Sequence, residues 1–419
     1  MPLDLALIRE QFPALQSQAI FFDNPGGTQI AQASIDRMLA YLTEHNANHG
    51  GAFHTSIRSD AVLDEARQAV ADFLNAPRAE EIVFGPNMTT LTFQMSRSIS
   101  RSWNPGDEIV VTRLDHDANI TPWVLAANER GCIVRWVDFH PSDGTLNLEE
   151  LQAALENRPR LLAVGYASNS LGTINPLERI IPMAREAGAL VYVDAVQYAP
   201  HGPIDVQALG CDFLVCSAYK FFGPHAGMLY GRYDLLEELP AYKVRPAPEK
   251  PPGKFETGTQ NHEGIAGVLG ALEYLEWLGV SFGEDHLDQY REKFKGRRLH
   301  LKQAMAAIRA YEYQLSRALL ESLAEIPEVK VYGLSNVRRL EERVPTVSFA
   351  MKGWQPRRVA EKLNQEGIYV WDGNYYALAV TERLGLEDRG GMIRVGPVHY
   401  NTVSEITRLR EALERIARS

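Results

Sequence analysis

The sequence predicts an α/β protein that has a mainly parallel sheet and a second, smaller domain. Two observations carry this prediction: short apolar runs alternate with amphipathic stretches, and several of those runs end in polar residues able to do chemistry. Alternation of this kind is typical of a parallel sheet that helices cover on both faces. At about 100–200 residues per domain, a chain of 419 residues is expected to form two or three units.

Six apolar runs indicate buried strands, at 82–84, 109–111, 133–137, 161–166, 190–193 and 213–216. A strand that is covered on both faces needs apolar side chains at every position, and these runs supply them. Amphipathic stretches such as 60–74 and 148–155 lie between several of the runs. A seventh run at 228–230 follows its predecessor too closely for a helical crossover, so we expect it to be antiparallel.

The remaining third of the chain predicts the smaller domain. A helical pattern spans 262–278, and a longer one at 287–326 is interrupted near Gly296. Three later apolar runs could form a smaller sheet, at 344–350, 368–371 and 393–395. Thr402 and Glu405 form a capping-box pattern that starts the last helix. We therefore predict a large domain over 21–280 and a small α+β domain over 281–419, with residues 1–20 packed on the small domain.

Composition excludes several classes of function. The formal charge is -10 with both signs mixed, and the basic stretch at 291–298 is explained by a solvated helix face, so no nucleic-acid partner is predicted. Three cysteines without a CxxC pattern argue against a disulfide framework or a metal site. Charged residues interrupt the N-terminal apolar stretch, and no signal peptide or membrane span is predicted. These features are typical of a cytoplasmic enzyme.

Two residues at successive strand ends suggest covalent chemistry. Asp194 ends one apolar run, and Lys220 follows the next run closely. Ligands of open α/β sheets bind at the carboxyl ends of strands, so the two side chains are expected to converge. A lysine amine forms a Schiff base with an aldehyde, and a carboxylate beside a pyridine nitrogen keeps that nitrogen protonated. The pair fits pyridoxal 5′-phosphate, although a helix cap and a solvated lysine are the plain alternatives.

Phosphate and carboxylate groups each have a candidate partner. Thr89 and Thr90 follow a strand and open a helical pattern, where hydroxyl and backbone N–H groups suit a dianion. The alternative is an ordinary threonine cap, and neither a P-loop nor a GxGxxG pattern occurs. Arg394 lies within an apolar run and needs an anion. That anion could be a substrate carboxylate, held by two hydrogen bonds, or a structural ion-pair partner.

These residues, in this order, resemble the class V aminotransferases, and specifically their cysteine-desulfurase-like branch. The resemblance covers almost the whole chain. The matching segments are 22–28 (FDNPGGT), 46–48 (NAN) with 53–55 (FHT), 87–90 (NMTT), 115–119 (DHDAN), 168–173 (SNSLGT), 193–197 (VDAVQ), 217–224 (SAYKFFGP), 255–261 (FETGTQN), and Arg394 with 400–402 (YNT). It implies the type I fold of pyridoxal-phosphate enzymes, with a seven-stranded sheet in the large domain.

The resemblance also implies a role for each matching residue. Lys220 would bond the cofactor and move protons at Cα, Asp194 would pair with the pyridine nitrogen, and His116 would stack on the ring. The other cofactor contacts would come from Thr89, Thr90, Asn169, Gln197, Ser217, Tyr219 and, across a homodimer with shared sites, Thr259. Substrate contacts would come from Arg394 and Asn24, with His54, Tyr375 and Tyr376 as further candidates, for which aromatic packing is the alternative.

Two departures from the family pattern affect the expected reaction. Tyr219 stands where many relatives have histidine before the lysine, which leaves phosphate binding possible. The loop at 371–377 (WDGNYYA) carries Tyr376 near the position of the nucleophilic cysteine, and no cysteine follows Cys216 in the chain. A thiolate is required to take sulfur as a persulfide. We therefore expect no persulfide step.

Three functions stay open from the sequence. The leading hypothesis is a C–S lyase that performs β-elimination on a cysteine-derived substrate. The second is epimerisation or transamination of an amino acid. The third, a pyridoxal-phosphate-binding protein without catalysis, is disfavoured because Lys220, His116 and Arg394 are all present.

Overall fold

The structure is a computed structural model that describes residues 3–419, and the prediction for residues 1–20 therefore falls partly outside it, at Met1 and Pro2. Its strands are β1 Ile20–Phe21, β2 Ile82–Gly85, β3 Glu108–Thr112, β4 Ile133–Val137, β5 Leu161–Gly165, β6 Leu190–Asp194, β7 Phe213–Ser217, β8 Gly227–Gly231, β9 Val329–Tyr332, β10 Val347–Met351, β11 Ile368–Tyr369, β12 Trp371–Gly373 and β13 Met392–Val395. Its helices are α1 Leu5–Glu10, α2 Gln32–Ala40, α3 His54–Leu74, α4 Met88–Ile99, α5 Thr121–Arg130, α6 Leu148–Leu155, α7 Leu177–Glu186, α8 Val206–Leu209, α9 Tyr233–Glu238, α10 His262–Phe282, α11 Leu287–Tyr290, α12 Gly296–Ala324, α13 Pro356–Gln365, α14 Leu378–Arg383 and α15 Val403–Ala417.

A seven-stranded sheet in the order β2-β8-β7-β6-β5-β3-β4 forms the centre of the large domain. β8 is antiparallel to both β2 and β7, as its short connection predicted, and the other pairs are parallel. β2 therefore runs in the same direction as β7, and its carboxyl end reaches the same edge of the sheet. The α/β fold class and the mainly parallel sheet are confirmed.

Burial along the strands follows their place in the sheet. Every residue of β5 and β7 is buried, since helices cover both faces, whereas exposure alternates along the edge strand β4. The continuous apolar runs that predicted the strands therefore come from the sheet centre.

The small domain contains an antiparallel sheet in the order β12-β13-β10-β9. β13 is a central strand of this sheet, so Arg394 is held between two neighbours. The predicted run at 368–371 divides into β11, which pairs with β1, and β12, which joins the sheet. The capping box that starts α15 is present, with Thr402 and Glu405 each accepting from the other's backbone N–H.

The predicted domain boundary near residue 280 needs correction, because the hydrophobic cores divide farther along the chain. α12 has 29 residues, and its first half packs in the core under the large sheet through Leu301 and Ile308. Its second half packs in the core of the small domain through Leu315 and Leu323. A continuous helix crosses from one core to the other, so the change of domain lies inside α12.

The described part of the N-terminal segment, which was predicted to pack on the small domain, contacts both domains. Ile8, Phe12 and Leu15 belong to the large hydrophobic core, where the Phe12 ring lies 5.1 Å from that of Tyr274 on α10. The segment also contacts the predicted small domain, since the Phe12 ring lies 4.8 Å from that of Tyr400, Ile20 of β1 pairs with Ile368 of β11, and Arg9 pairs with Glu405 of α15 at 3.0 Å.

One helix in the described part of the chain, α10, is long and apolar enough to cross a membrane by length and composition. It packs against α2, α3 and α12, and 72% of its most apolar window is buried inside the protein. Its apolar character is that of a helix in a protein core.

Candidate active site

A cavity of about 510 Å³ lies between the carboxyl ends of the large sheet and the small domain. Strands β3, β5, β6 and β7 bring polar residues to it, as the sequence predicted from their positions after apolar runs. The predicted site residues that line the cavity are Thr89, His116, Asn169, Asp194, Gln197, Ser217, Tyr219, Lys220, Tyr375, Tyr376 and Arg394. The structure thus brings these side chains together, while their individual roles stay predictions.

Lys220 lies in a single helical turn directly after β7, and its side chain is buried. Its ammonium group donates to the carbonyl oxygen of Pro25 and lies 4.9 Å from the centre of the Tyr219 ring. Burial and the positive charge of Arg394 lower the pKa of Lys220 to about 7, against the opposing charges of Asp23 and Asp194. A large fraction of the amine is therefore neutral and nucleophilic near neutral pH.

Asp194 is the last residue of β6 and is 8% exposed. Its Oδ1 accepts a hydrogen bond of 2.9 Å from the backbone N–H of Val196. Burial raises the pKa of this carboxyl group to about 6, and the charge of Lys220 opposes the shift. A cationic ligand nitrogen beside Asp194 would favour its ionised form, which is the pairing that a pyridinium requires.

His116 follows β3 and lies on the cavity wall. Its Nδ1 accepts from the backbone N–H of Ala118 at 3.0 Å, which places the proton of the neutral ring on Nε2. Burial, with the charges of Lys220 and Arg394, lowers the pKa of His116 to about 4. The ring is therefore neutral at physiological pH, and it stacks on Tyr376 with 5.7 Å between centroids.

The phosphate end of the cavity is formed by the N-terminus of α4 and the end of β7. Ser217 Oγ accepts from the backbone N–H of Met88 at 3.0 Å, which leaves its own proton free to donate. Thr89 is in the first turn of α4 and lines the cavity. A Cβ at Gly227 would collide with the backbone of Asn87, so glycine permits β8 to approach the start of α4.

Arg394 is 4% exposed and points from β13 towards the large domain. One terminal nitrogen donates to the carbonyl oxygen of Asn169 at 3.0 Å, and the other lies 3.6 Å from Asp23 Oδ1. Its Nε has no hydrogen-bond partner, and the guanidinium carbon lies 4.5 Å from the centre of the Tyr375 ring. A buried guanidinium with an unused donor suits a planar anion such as a carboxylate.

Two buried amides leave oxygen atoms without partners at the cavity. The amide nitrogen of Asn169 donates to the carbonyl oxygen of Tyr375 at 2.9 Å, and that of Gln197 donates to Thr346 at 2.9 Å. Asn169 Oδ1 and Gln197 Oε1 have no hydrogen-bond partner. Buried polar atoms of this kind are nearly always satisfied, so the cavity is built for a polar ligand. The buried amine, carboxylate, flat neutral ring and helix N-terminus together fit pyridoxal 5′-phosphate.

Four predicted site residues do not line the cavity. Asn24 is corrected to a structural role, because its amide donates to the carbonyl oxygens of Phe21 and Gly396 and accepts from the hydroxyl of Tyr400. The side chain of Thr90 is exposed on α4, and its backbone N–H is capped by Asn87. His54 and Thr259 are exposed at the start of α3 and in the loop before α10. They could reach a site only in a partner subunit.

The loop that replaces the family's cysteine loop is held against the large domain. The carbonyl oxygen of Tyr376 accepts from the backbone N–H of Asp117 at 2.7 Å. Tyr375 and Tyr376 both have φ of 58°, a left-handed conformation that is costly for such side chains. Tertiary contacts on both residues maintain this conformation.

Within the part of the chain that the structure describes, no cysteine lines the cavity. Cys211 and Cys216 are buried elsewhere, and burial raises the pKa of Cys211 to about 12. Cys132 is a free cysteine with its sulfur 3.4 Å from the carbonyl oxygen of Asn104. A persulfide on one of these residues is therefore not part of the chemistry of this cavity.

Three carboxylates, those of Asp23, Asp115 and Asp117, and the indole of Trp371 line the cavity and were missed by the sequence reasoning. Asp115 accepts from Thr112 and from the backbone of Gly165, both at 2.9 Å, and burial raises its pKa to about 7. Asp23 and Trp371 line the cavity directly. Asp115 precedes His116 and Asp23 precedes Asn24, so both lay beside residues that were chosen.

The model of the aminotransferase class V family matches residues 20–303 and 297–409 of the chain. A probable cysteine desulfurase of Mycolicibacterium paratuberculosis is 34% identical, over 99% of this chain and 58% of its own length. The chain therefore spans less than two thirds of that relative. An aminotransferase-like protein of Gibberella zeae is 35% identical, over 98% of this chain and 97% of its own. A cysteine desulfurase of Dickeya dadantii is 34% identical, over 98% and 96%.

Solved structures of cysteine desulfurases are similar to this chain over nearly its whole length. The apo cysteine desulfurase of Thermococcus onnurineus superposes with a TM-score of 0.87 at 26% identity, over 100% of this chain and 99% of that one. The cysteine desulfurase CsdA of Escherichia coli gives 0.83 at 27% identity, over 99% and 98%.

Proposed function

The chain belongs to the class V aminotransferase family and is thus a pyridoxal-phosphate enzyme, and we propose that it breaks the carbon–sulfur bond of a cysteine-derived amino acid. The observation that carries this proposal is a cavity in which Lys220 and Arg394 face each other without a thiol. The names of the relatives support a sulfur-containing amino acid. The absence of a cysteine from the loop supports release of the sulfur product into solution.

The cofactor would be held at three places. Lys220 would bond it, Asp194 would pair with its ring nitrogen, and Thr89 at the start of α4 with Ser217 at the end of β7 would hold its phosphate. The neutral ring of His116 would cover one face. When bound, the cofactor withdraws electrons from Cα of the amino acid, and this makes the Cα proton removable.

The protein's own residues would then orient the substrate and move its proton. Arg394 would hold the α-carboxylate and thereby fix which bond at Cα faces Lys220. The Lys220 amine, whose pKa burial lowers to about 7, can take the Cα proton and return it near neutral pH. The sulfur substituent then leaves Cβ with the bonding electron pair and takes up a proton, and one water molecule hydrolyses the remaining three-carbon imine to pyruvate and ammonium.

Product analysis tests this function directly. Purified enzyme is incubated with cystine, S-substituted cysteines and a cysteine sulfoxide, and pyruvate and thiol are measured. We expect equimolar pyruvate and sulfur product from at least one of these substrates. The same substrates with a Lys220→Ala variant provide the control. Release of alanine with persulfide, or no pyruvate from the whole panel, would contradict elimination.

Transamination or epimerisation is the second candidate. One observation favours it, namely the 35% identity to an aminotransferase-like protein across nearly the full length of both chains. The two reactions keep the carbon skeleton, whereas elimination does not. Deuterium incorporated at Cα into an otherwise unchanged amino acid, without pyruvate, would favour epimerisation, and a 2-oxo acid that retains the side chain would favour transamination.

We also propose that the enzyme is a cytoplasmic homodimer with shared active sites. Four large apolar side chains at the end of α2 and the start of α3 are about half exposed, namely Leu39, Leu42, Phe53 and Ile57. His54 lies among them, and a partner would cover this surface.

The three free cysteines support a location in a reducing compartment. Cell fractionation tests this location.

Shared sites predict complementation between inactive variants. Lys220→Ala and Thr259→Asp homodimers are each expected to be inactive, because the first lacks the amine and the second repels the partner's phosphate. Mixed and refolded together, they form a hybrid in which one site has both native residues. Recovered activity supports sharing, and no recovery from a verified hybrid contradicts it.

A further inference from the structure

A hydrogen bond joins a cavity side chain of the large domain to a hydroxyl group of the small domain. Gln197 follows the end of β6 by three residues and lines the cavity. Its Nε2 donates to Oγ1 of Thr346, the residue directly before β10, at 2.9 Å, and both side chains are buried. Thr346 is not among the described residues that line the cavity. Its hydroxyl can therefore act on a ligand only through the Gln197 amide.

The backbone of Thr346 is held where the two domains meet. The guanidinium of Arg343 donates to the carbonyl oxygen of Thr346. A Cβ at Gly172 would lie 2.2 Å from the same oxygen, so glycine permits the loop after β5 to approach this residue. The hydroxyl is thus fixed beside Gln197 by contacts that do not involve the cavity.

The partner of Gln197 allows its amide to turn over. A hydroxyl group can donate or accept, whereas a carbonyl oxygen only accepts. If the amide turned by 180°, Thr346 would donate to Oε1, the buried atom that has no partner, and Nε2 would replace Oε1 at the cavity. The Asn169 amide would lose its bond in such a turn, because its Nδ2 donates to the carbonyl oxygen of Tyr375. Thr346 can satisfy either orientation of Gln197, and a ligand in the cavity decides between them.

The cofactor would bring a hydrogen-bond acceptor to this amide. In the proposed placement, Lys220, Asp194 and the start of α4 contact its aldehyde carbon, ring nitrogen and phosphate. The phenolic oxygen of the ring remains, and it carries negative charge once the adjacent nitrogen has lost its proton. An amide oxygen would repel that charge, whereas an amide N–H group would donate a charge-assisted hydrogen bond to it.

We propose that Thr346 is a positioning residue for the cofactor: its hydroxyl donates to Oε1 of Gln197 and thereby turns the amide nitrogen towards the phenolic oxygen. This assignment rests on the cofactor placement given under the proposed function. It lets a residue of the small domain influence the acidity of the cofactor without touching it.

The experiment measures the acidity of the nitrogen that joins Lys220 to the cofactor. The visible absorbance of the holoenzyme is followed as the pH is changed, for the wild type and for Thr346→Val, which keeps the shape of the side chain and removes the hydroxyl. A hydrogen bond to the charged oxygen stabilises the deprotonated form, so weakening that bond raises the pKa. We expect the pKa of this nitrogen to rise by about one in Thr346→Val, a tenfold change in proton affinity.

Further variants separate the hydroxyl from general effects. Thr346→Ser keeps the hydroxyl and should titrate as the wild type does. So should Thr381→Val, which removes another buried hydroxyl of the small domain, one that donates to the carbonyl oxygen of Leu378 at 3.0 Å. In a Gln197→Ala background, Thr346→Val should change the pKa no further, because the hydroxyl acts through the amide. Thr346→Ala replaces Thr346→Val if that variant does not fold.

Several results would overturn the assignment. They are an unchanged pKa in Thr346→Val, a Thr346→Ser enzyme that titrates as Thr346→Val does, an equal rise in Thr381→Val, or a further rise in the Gln197→Ala background. The readout needs bound cofactor but no turnover, so it is distinguishable from the proposed reaction. A raised pKa in an enzyme that gives no pyruvate removes the lyase and keeps Thr346. An unchanged pKa in an active lyase removes Thr346 alone.

Discussion

The two walls of the active-site cavity are built in different ways. The large-domain wall consists of side chains at the ends of parallel strands, such as Asp194 and Lys220, whose backbones are fixed by the sheet. The small-domain wall consists of β13 and the loop that carries Tyr375 and Tyr376, both in a left-handed conformation. By our proposal, the first wall would hold the cofactor, and the second would face the amino acid.

This difference separates the part of the cavity that matches the family pattern from the part that does not. The large-domain residues match the family pattern closely, and so the cofactor chemistry is common to the family. The loop at 371–376 departs from the family pattern at the residue that would take sulfur. The residues of the large-domain wall therefore indicate the class of reaction. The loop indicates what happens to the side chain of the substrate.

The largest effect is expected from a substitution in the large-domain wall. Lys220→Ala should lower kcat by at least about 10³-fold, since proton transfer by a positioned side chain contributes about 10²–10⁴-fold. Lys302→Met is a matched control, because Lys302 is also buried with a pKa lowered by burial to about 7, but it donates to the carbonyl of Phe73 in the core. The control should turn over like the wild type when corrected for folded protein. Equal losses in both variants would show that burial, not position, matters.

A second prediction concerns the small-domain wall at Arg394. Arg394→Lys keeps the charge and loses the planar fork, so kcat/KM should fall about 100-fold, equivalent to about 2.8 kcal/mol. Steady-state kinetics with the substrate found in the panel measures it. Arg135→Lys, on a surface pair with Glu108, is the control for the same exchange. A change of less than threefold at Arg394 would mean that another group binds the carboxylate.

The third prediction concerns the charge state of Lys220 before the cofactor binds. The neutral amine is the reactive form, and its fraction grows as pH rises through the pKa. Because burial and Arg394 lower that pKa to about 7, the rate at which apoenzyme gains absorbance with pyridoxal phosphate should rise up to about pH 7 and then level. A rate that keeps climbing past pH 9 would show an amine with an ordinary pKa.

The smallest effect is expected at the loop hydroxyl. Tyr376 is 74% exposed, and its contacts are the ring stack on His116 and the hydrogen bonds of its backbone to Asp117 and Asn374. Tyr376→Phe keeps both and should change kcat by less than about threefold, far below the 10²–10⁴-fold effect of a proton-transfer group. Tyr376→Ala removes an aromatic pair worth about 0.5–1.5 kcal/mol and should affect activity more. A large loss in Tyr376→Phe would place the hydroxyl in the mechanism.

The large domain was predictable because its sheet is buried on both faces. Continuous apolar runs located the central strands, and the polar residues that end them located Asp194 and Lys220. The antiparallel direction of β8 followed from a connection too short for a helix. Local pattern and tertiary structure agree here, since burial determines both.

The remaining features depend on contacts that the sequence does not display. The domain boundary was misplaced because α12 is uninterrupted, and only its packing shows that it serves two cores. Asp23 adjoins Asn24 in the segment at 22–28, and the sequence does not show that Asp23 is the one that lines the cavity. The side chain of Asn24 is instead bonded to Phe21, Gly396 and Tyr400. Thr259 and His54 depend on a second chain.

The passage of α12 through both hydrophobic cores has a consequence for cooperativity. Leu301 and Leu323 lie on one continuous helix, so unfolding of the whole helix withdraws apolar surface from both cores at once. The two walls of the cavity are consequently coupled in unfolding, and heat should remove them in a single calorimetric transition. A truncation that ends within this helix would expose apolar surface in the piece it leaves behind, and neither half is an independent module for engineering.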